Sequence, residues 1–241
     1  MTRQRLINWA HRGASSTALE NTLFAFQTAV QVGADGIECD LRESRDGYLM
    51  IFHDPTLKRL ANLPLSIKQL TRADIAQIDI GSASGFRTAR IPTLADLIAK
   101  IKPPTLLNLE IKQATPQKIL ATVYQYHAQD RVIISAFDYR CLIRIRALDS
   151  AIAIGYLVDD RVTASILKQA EHLRARALHL SKKWATPRVV EQVHRAGLQL
   201  SLYTVNDPDE MVRYINMGVD GLFTNDPERL AKLKGEHDSI S

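Results

Sequence analysis

Cysteine is scarce in this sequence. Only two occur in 241 residues, Cys39 and Cys141, and neither lies in a CxxC pair or at a spacing typical of zinc ligands. This argues against a thiolate metal site or a redox motif. Cys39 falls on the apolar face of a predicted strand and Cys141 in a helical pattern, so both are predicted to be buried thiols.

Long hydrophobic runs are also missing. No apolar stretch approaches the length that spans a membrane. Residues 1–5 run directly into the strand-like segment 6–10, which leaves no room for a signal peptide. We therefore expect a cytoplasmic protein with no stable membrane insertion.

The sequence has no dense tract of Lys and Arg. The formal net charge is +5, but the basic residues are interspersed with acids. Such a charge favours anionic partners in general and does not indicate nucleic acid, because the basic residues are typical of a solvated surface. A small-molecule substrate is the expected partner. The sequence leaves the oligomeric state open.

Strand-like and helix-like segments alternate along the whole chain. One helical pattern covers 21–32, with Leu23, Phe24, Phe26 and Val30 predicted to share one side. Eight strands, each followed by a helix, are the number expected of a (β/α)₈ TIM barrel. The strand-like runs are 6–10, 36–42, 105–111, 131–136, 152–158, 177–181, 199–205 and 221–225.

The stretch from about 48 to 90 interrupts this alternation. Residues 48–52 resemble an extra short strand, and 55–90 supply turns and a helical piece. In a barrel this stretch would be an insertion after strand two, on the carboxyl-terminal face where active sites are built. We expect one α/β TIM-barrel domain over 1–241 with a short insertion at 48–90.

Charged residues occupy alternate positions on two predicted strands. Glu38 and Asp40 lie two apart, as do Glu110 and Lys112. Period two places each pair on one face of its strand. Acids inside a barrel are costly unless they are paired or bound to a metal. Glu38, Asp40 and Glu110 are therefore predicted to be oxygen ligands of Mg²⁺ or Ca²⁺. The alternative is a half-exposed antiparallel sheet whose polar face meets water.

Two histidines lie at predicted strand ends. His11 adjoins Arg12, and His53 is followed by Asp54, which could orient its imidazole. We predict that His11 and His53 form an acid/base pair for attack on a phosphate ester. Arg12 and Lys112 would bind phosphate oxygens, or else pair structurally with the carboxylates.

Two further residues have weaker signals. Tyr203, at the end of the seventh predicted strand, could line the pocket and contact substrate, although a strand tyrosine is usually a packing residue. His179 alternates between two leucines, so it points either into the barrel or into the core.

Seven short motifs occur in a fixed order between residue 7 and about residue 230. They are His11-Arg12-Gly13, Glu20-Asn21-Thr22, Glu38-x-Asp40, His53-Asp54-x-Thr56-Leu57-x-Arg59, Glu110-Ile111-Lys112, Tyr203-Thr204-Val205-Asn206 and Gly218-Val219-Asp220-Gly221. Together they resemble the signature of the glycerophosphodiester phosphodiesterases. Leu19 replaces a usual proline, Tyr203 a commoner tryptophan, and the insertion after Arg59 is short.

The resemblance implies a TIM barrel that hydrolyses glycerophosphodiesters to sn-glycerol 3-phosphate and an alcohol with a divalent metal. It implies metal ligands, an acid/base pair and phosphate-binding residues at the positions named above. Three alternatives stay open: a lysophospholipase D acting on lysophospholipids, a phosphosugar isomerase or aldolase barrel, and a non-catalytic binding barrel. Residues 206–208 and 225–227 lack the glycine-rich phosphate loops that the second alternative requires.

Overall fold

The computed structural model describes residues 6–240, with side chains as far as residue 235. The strands are β1 Ile7–His11, β2 Gly36–Glu43, β3 Leu49–Ile51, β4 Leu106–Gln113, β5 Val132–Ala136, β6 Ala153–Val158, β7 Ala177–Ser181, β8 Gln199–Tyr203 and β9 Gly221–Thr224. The helices are α1 Leu23–Gln31, α2 Lys58–Ala61, α3 Arg72–Ala76, α4 Leu94–Lys100, α5 Pro116–Gln125, α6 Tyr139–Leu148, α7 Ala164–His172, α8 Pro187–Arg195, α9 Pro208–Met217 and α10 Pro227–Ile240.

Eight of these strands close into a parallel barrel. The hydrogen-bonded order is β1-β9-β8-β7-β6-β5-β4-β2, and β1 pairs with β2 to complete the circle. Helices link successive barrel strands and lie outside them. The predicted (β/α)₈ TIM barrel is confirmed, and each of the eight predicted strand runs overlaps one barrel strand. The observed β1, β2 and β4 continue one or two residues beyond their predicted ends.

The insertion begins with the predicted extra strand. β3 pairs antiparallel with β2, and the segment from there to α4 contains the short helices α2 and α3. Its apolar side chains form a small core of their own under Leu19, which belongs to the loop after β1. The other buried members are Met50, Phe52, Leu57, Leu60, Ile67, Ile75, Ile80 and Ile91.

Helix α1 packs through a different face from the one predicted. Its buried residues are Ala25, Phe26 and Ala29, whereas Phe24 is 69% exposed and Val30 is 37% exposed. Successive residues are about 100° apart around a helix, so the arc that contains 25, 26 and 29 leaves Phe24 on the other side. The small alanines let the helix lie close to the barrel, and Phe24 is left in solvent.

One of the two cysteine predictions was wrong. Cys39 is fully buried on the outer side of β2, but Cys141 is only half-buried, because it lies early in α6 beside the helix face that packs inward through Leu142 and Ile145. Within residues 6–240, no helix combines the length and the apolar content needed to cross a membrane.

Candidate active site

Strand register brings the predicted site residues together at the carboxyl ends of β1, β2 and β4. His11 on β1 is opposite Glu38 on β2, and Asp40 on β2 is opposite Glu110 on β4. Parallel strands keep the same face inward at paired positions, so all four side chains point to the barrel axis. The loop after β1 adds Arg12 to this group.

Glu38, Asp40 and Glu110 form a compact cluster of buried carboxylates. One oxygen from each lies within 4.8 Å of the others. Glu38 Oε1 and Asp40 Oδ1 are buried and accept no hydrogen bond from the described residues. Unsatisfied buried oxygens of this kind suit a hard cation such as Mg²⁺ or Ca²⁺, which takes oxygen ligands. The residues present therefore fit a divalent metal ion.

The electrostatics of the cluster are those of crowded negative charge. Burial, and then the Asp40 and Glu110 carboxylates, raise the pKa of Glu38 well above its usual range. Burial and Asp40 likewise raise the pKa of Glu110. Burial would also raise the pKa of Asp40, but Arg12 and Lys112 outweigh it and hold that pKa low. A cation in the cluster would relieve this repulsion.

Two basic side chains flank the carboxylates. Arg12 Nε lies 3.2 Å from Asp40 Oδ2, and the Arg12 backbone N–H donates to Glu38 Oε2 at 2.9 Å. Lys112 Nζ lies 3.4 Å from Asp40 Oδ1 and donates a hydrogen bond to Glu110. The structural pairing anticipated for these cations is present, and each still leaves donors free for an anion.

His11 is held in one tautomer by the last barrel strand. Its Nδ1 lies 2.7 Å from Oδ1 of Asn225, which follows β9. An amide oxygen only accepts, so Nδ1 carries the proton and Nε2 presents a lone pair. Nε2 is 4.0 Å from Glu38 Oε2. Burial, and then the charge of Arg12, lower the pKa of His11 to about 4.

His53 enters the site from the segment that follows β3. Its Nδ1 lies 2.8 Å from Asp54 Oδ1, which confirms that the neighbouring carboxylate orients the ring. Asp54 in turn accepts a hydrogen bond of 2.6 Å from Arg59 Nε. Arg42 donates two hydrogen bonds to the His53 carbonyl, at 3.0 and 2.7 Å. Both the ring and the backbone of His53 are thus fixed.

An apolar wall lines the other side of the cleft. Phe137, Leu157, Tyr203 and Phe223 share this cleft with His11, Glu38, Asn108 and Glu110. The Tyr203 hydroxyl donates to the Val158 carbonyl at 2.9 Å, so Tyr203 presents its ring, and not its hydroxyl, to the cleft. Phe137 meets this ring edge-on with centroids 6.0 Å apart and is 46% exposed.

Several residues of the site were not singled out as site residues from the sequence. Asn225 orients His11, Glu20 and Asn21 bind Arg12 and Asp40, and Phe137 forms part of the wall. Asn225 lies 214 positions from His11 and is brought to it only by closure of the barrel. Its place directly after the last strand was the available signal.

Comparison with known proteins agrees with this geometry. The model of the glycerophosphoryl diester phosphodiesterase family matches residues 11–229. The chain belongs to this family. It is 34% identical over 233 residues to the glycerophosphodiester phosphodiesterase of Caldanaerobacter subterraneus subsp. tengcongensis, covering 93% of this chain and 96% of that protein. It is 28% identical to the enzyme of the same name from Bacillus altitudinis, covering 95% and 98%.

Solved structures of the family share the fold. A phosphodiesterase from Oleispira antarctica, in complex with the product sn-glycerol-3-phosphate, superposes with a TM-score of 0.89 at 30% identity, covering 95% of this chain and 96% of that one. The glycerophosphodiester phosphodiesterase of Thermotoga maritima superposes with a TM-score of 0.79 at 28% identity, covering 94% and 98%.

Proposed function

We propose that this protein hydrolyses glycerophosphodiesters to sn-glycerol 3-phosphate and an alcohol. The observation that carries the proposal is the cluster of Glu38, Asp40 and Glu110 between two basic side chains and two oriented histidines. This combination would provide a metal site, basic groups that bind an anion and groups that transfer protons, all within one cleft. The Oleispira antarctica relative with bound sn-glycerol-3-phosphate supports the choice of product.

Glu38, Asp40 and Glu110 are the proposed ligands of a Mg²⁺ or Ca²⁺ ion. When bound, such an ion supplies positive charge that neutralises non-bridging phosphate oxygens and orients the nucleophile. Glu38 Oε1 supports this assignment, because it is buried and accepts no hydrogen bond from the described residues. The three proposed ligands are all carboxylates, and none is a sulfur ligand of the kind that softer metals prefer.

Arg12 and Lys112 are the proposed phosphate-binding residues. Asp40 lies between them, at 3.2 Å from Arg12 Nε and 3.4 Å from Lys112 Nζ, and fixes both side chains toward the cleft. Arg12 offers a planar fork and Lys112 a compact point charge, so together they would hold the phosphate in one orientation.

The two histidines have different proposed roles. The lone pair of His11 Nε2 accepts the proton of the nucleophile, because Asn225 keeps the other proton on Nδ1. His53 is assigned the donation of a proton to the leaving alkoxide, because its ring is held in place by the Asp54 carboxylate, 2.8 Å from Nδ1. The scheme holds whether the nucleophile is water or the 2-hydroxyl of the substrate glycerol.

The apolar wall is the proposed contact surface for the carbon atoms of glycerol. Tyr203 acts through its ring, since its hydroxyl is occupied by the Val158 carbonyl. Phe137 is partly exposed beside it and has Lys112 Nζ 5.8 Å from its ring centroid.

Two further predictions from the sequence stay predictions: that the chain forms a single domain, and that the protein acts in the cytoplasm.

Identification of the products tests the proposed reaction. Phosphorus NMR of a glycerophosphocholine digest distinguishes glycerol 3-phosphate from phosphocholine, which arise from cleavage on opposite sides of the phosphorus atom. The proposal expects glycerol 3-phosphate and choline. Phosphocholine as the product would contradict it. Turnover of lysophosphatidylcholine with none of glycerophosphocholine would favour the lysophospholipase D alternative.

A further inference from the structure

The insertion at 48–90 is rich in exposed basic side chains. It contains six basic residues, all exposed: Lys58, Arg59, Lys68, Arg72, Arg87 and Arg90. Of these, Arg59 is ion-paired with Glu20 and Asp54. Of the three acids in the same segment, only Asp74 is exposed. Asp54 is bound to His53 and Arg59, and Asp79 accepts hydrogen bonds from the backbone N–H groups of Gly81 and Ala89. The outer surface of the insertion is therefore cationic.

An apolar groove of about 850 Å³ lies beside this cationic surface. Leu19, Leu23 and Phe24 form one side of it, and Phe86 and Ile91 belong to the other. Phe24 is 69% exposed and Phe86 is 44% exposed. Large side chains left in solvent around a groove commonly mark a binding surface.

The lining of the groove also includes two arginines and one acid. Arg87 has no ion-pair partner among residues 6–235, and Arg90 is 3.9 Å from Asp79. The only acid in the lining, Asp96, is turned to the start of α4, where its carboxylate accepts hydrogen bonds from the Thr93 N–H and hydroxyl. The groove thus combines aromatic side chains with the unpaired positive charge of Arg87.

The groove lies at the active-site end of the barrel. Helix α1 begins next to the carboxyl end of β1, and Leu19 in the groove directly precedes Glu20, which accepts a hydrogen bond from Arg12 at 3.1 Å. A surface that docks on this groove would face the mouth of the site.

We propose that the groove and the insertion bind the surface of an anionic lipid bilayer. Phenylalanines that enter the interface together with Lys and Arg that attract anionic headgroups are the combination that holds peripheral proteins on such membranes. Phe24 and Phe86 supply the first part, and Arg87 and Arg90, which line the groove, supply the second. The bound protein presents its catalytic cleft to the lipid surface.

Vesicle co-sedimentation tests this proposal with the full chain. The protein should sediment with vesicles of equimolar phosphatidylglycerol and phosphatidylcholine, and not with vesicles of phosphatidylcholine alone. Arg87→Ala should lower the partition coefficient about five-fold. Phe24→Ser combined with Phe86→Ser should lower it by about ten-fold or more. Hydrolysis of glycerophosphocholine should be unchanged in both variants.

Matched controls come from the opposite end of the barrel. Lys102→Ala and Tyr126→Ser remove an exposed lysine and an exposed tyrosine that follow the ends of α4 and α5. Neither should change vesicle binding. The proposal is overturned if the protein does not bind anionic vesicles, or if the control variants weaken binding as much as the test variants. It is also overturned if the double serine variant binds normally, because the site would then recognise any polyanion. Binding of monomeric lysophospholipid without vesicle binding would also overturn it.

Discussion

The carboxylate of Glu20 accepts two hydrogen bonds from the guanidinium of Arg59, at 2.6 and 3.1 Å. The same carboxylate accepts one from Arg12 at 3.1 Å, and Arg59 also binds Asp54, the partner of His53. One arginine of the insertion therefore connects the loop that carries the phosphate-binding residue with the segment that carries the second histidine.

Loss of this connection should impair catalysis more than folding. Glu20→Gln keeps the side-chain shape but removes the charge that fixes Arg12 and Arg59. We expect kcat/KM for glycerophosphocholine to fall by about 10–100-fold. Glu43→Gln is the control, because Glu43 binds Thr115 and Lys118 away from the site. An effect within a factor of about two, equal to that of the control, would show that Glu20 has no positioning role.

The acid/base pair predicts large effects on turnover. His11→Ala and His53→Ala should each lower kcat by about 10²–10⁴-fold, the usual contribution of a general acid or base. Asn225→Ala should lower kcat less, because the ring remains while its tautomer is no longer fixed. Steady-state kinetics on glycerophosphocholine measure these effects, with the exposed His172→Ala as the control. Turnover by His11→Ala near the unaltered rate would refute the assignment.

The stability of the metal-free protein should depend on pH through Glu38. Its folded-state pKa is raised, so the folded protein holds this proton to higher pH than the unfolded chain does. The stability that this group contributes is fully present below the unfolded pKa of about 4.5. It is lost as pH rises from there toward the folded pKa, at about 1.4 kcal/mol for each pH unit. Divalent metal should raise Tm at neutral pH.

Glu38→Gln separates this effect from general stability. It should make the metal-free protein more stable at neutral pH and abolish the rise in Tm on addition of Mg²⁺ or Ca²⁺. Thermal unfolding followed by circular dichroism, with and without chelator, measures both. If Glu38→Gln is less stable than the parent protein, both without metal, then repulsion between Glu38 and the other carboxylates does not destabilise the fold.

Packing inside the barrel gives a prediction independent of catalysis. A Cβ at Gly155 would lie 2.3 Å from Cε1 of His179, whose ring is fully buried against Phe223 at 4.9 Å between centroids. Gly155→Ala should therefore lower the free energy of unfolding by about 1–3 kcal/mol. The cost should be smaller in a His179→Ala background. An equal cost in both backgrounds would locate the strain elsewhere.

The barrel and the carboxylate cluster were predictable because both follow from local periodicity. Strand runs separated by helical segments give the barrel count, and alternation on β2 and β4 puts Glu38, Asp40 and Glu110 on the inner face before any contact is known. His179 was ambiguous by the same logic, and the structure places its ring inside the barrel, against Phe223, which shares the cleft with His11 and Glu38.

The contacts that could not be predicted from the sequence depend on closure of the barrel and on the fold of the insertion. The Asn225–His11 hydrogen bond requires β9 to lie beside β1, and the Glu20–Arg59 contact requires the loop after β1 to meet helix α2 of the insertion. The exposure of Phe24 was missed because apolar residues were assigned to one helix face without the packing partner being known. Long-range pairings of this kind carry no periodic signal.

Metal dependence of hydrolysis tests the central claim most directly. Chelator-treated protein is assayed on glycerophosphocholine with Mg²⁺ or Ca²⁺ added back, beside Glu110→Gln and the control Glu43→Gln. We expect no turnover without metal, restoration in the parent and the control, and none in Glu110→Gln although it remains folded. Full turnover in excess chelator, or restoration of Glu110→Gln to the parent rate, would contradict the proposed carboxylate metal centre.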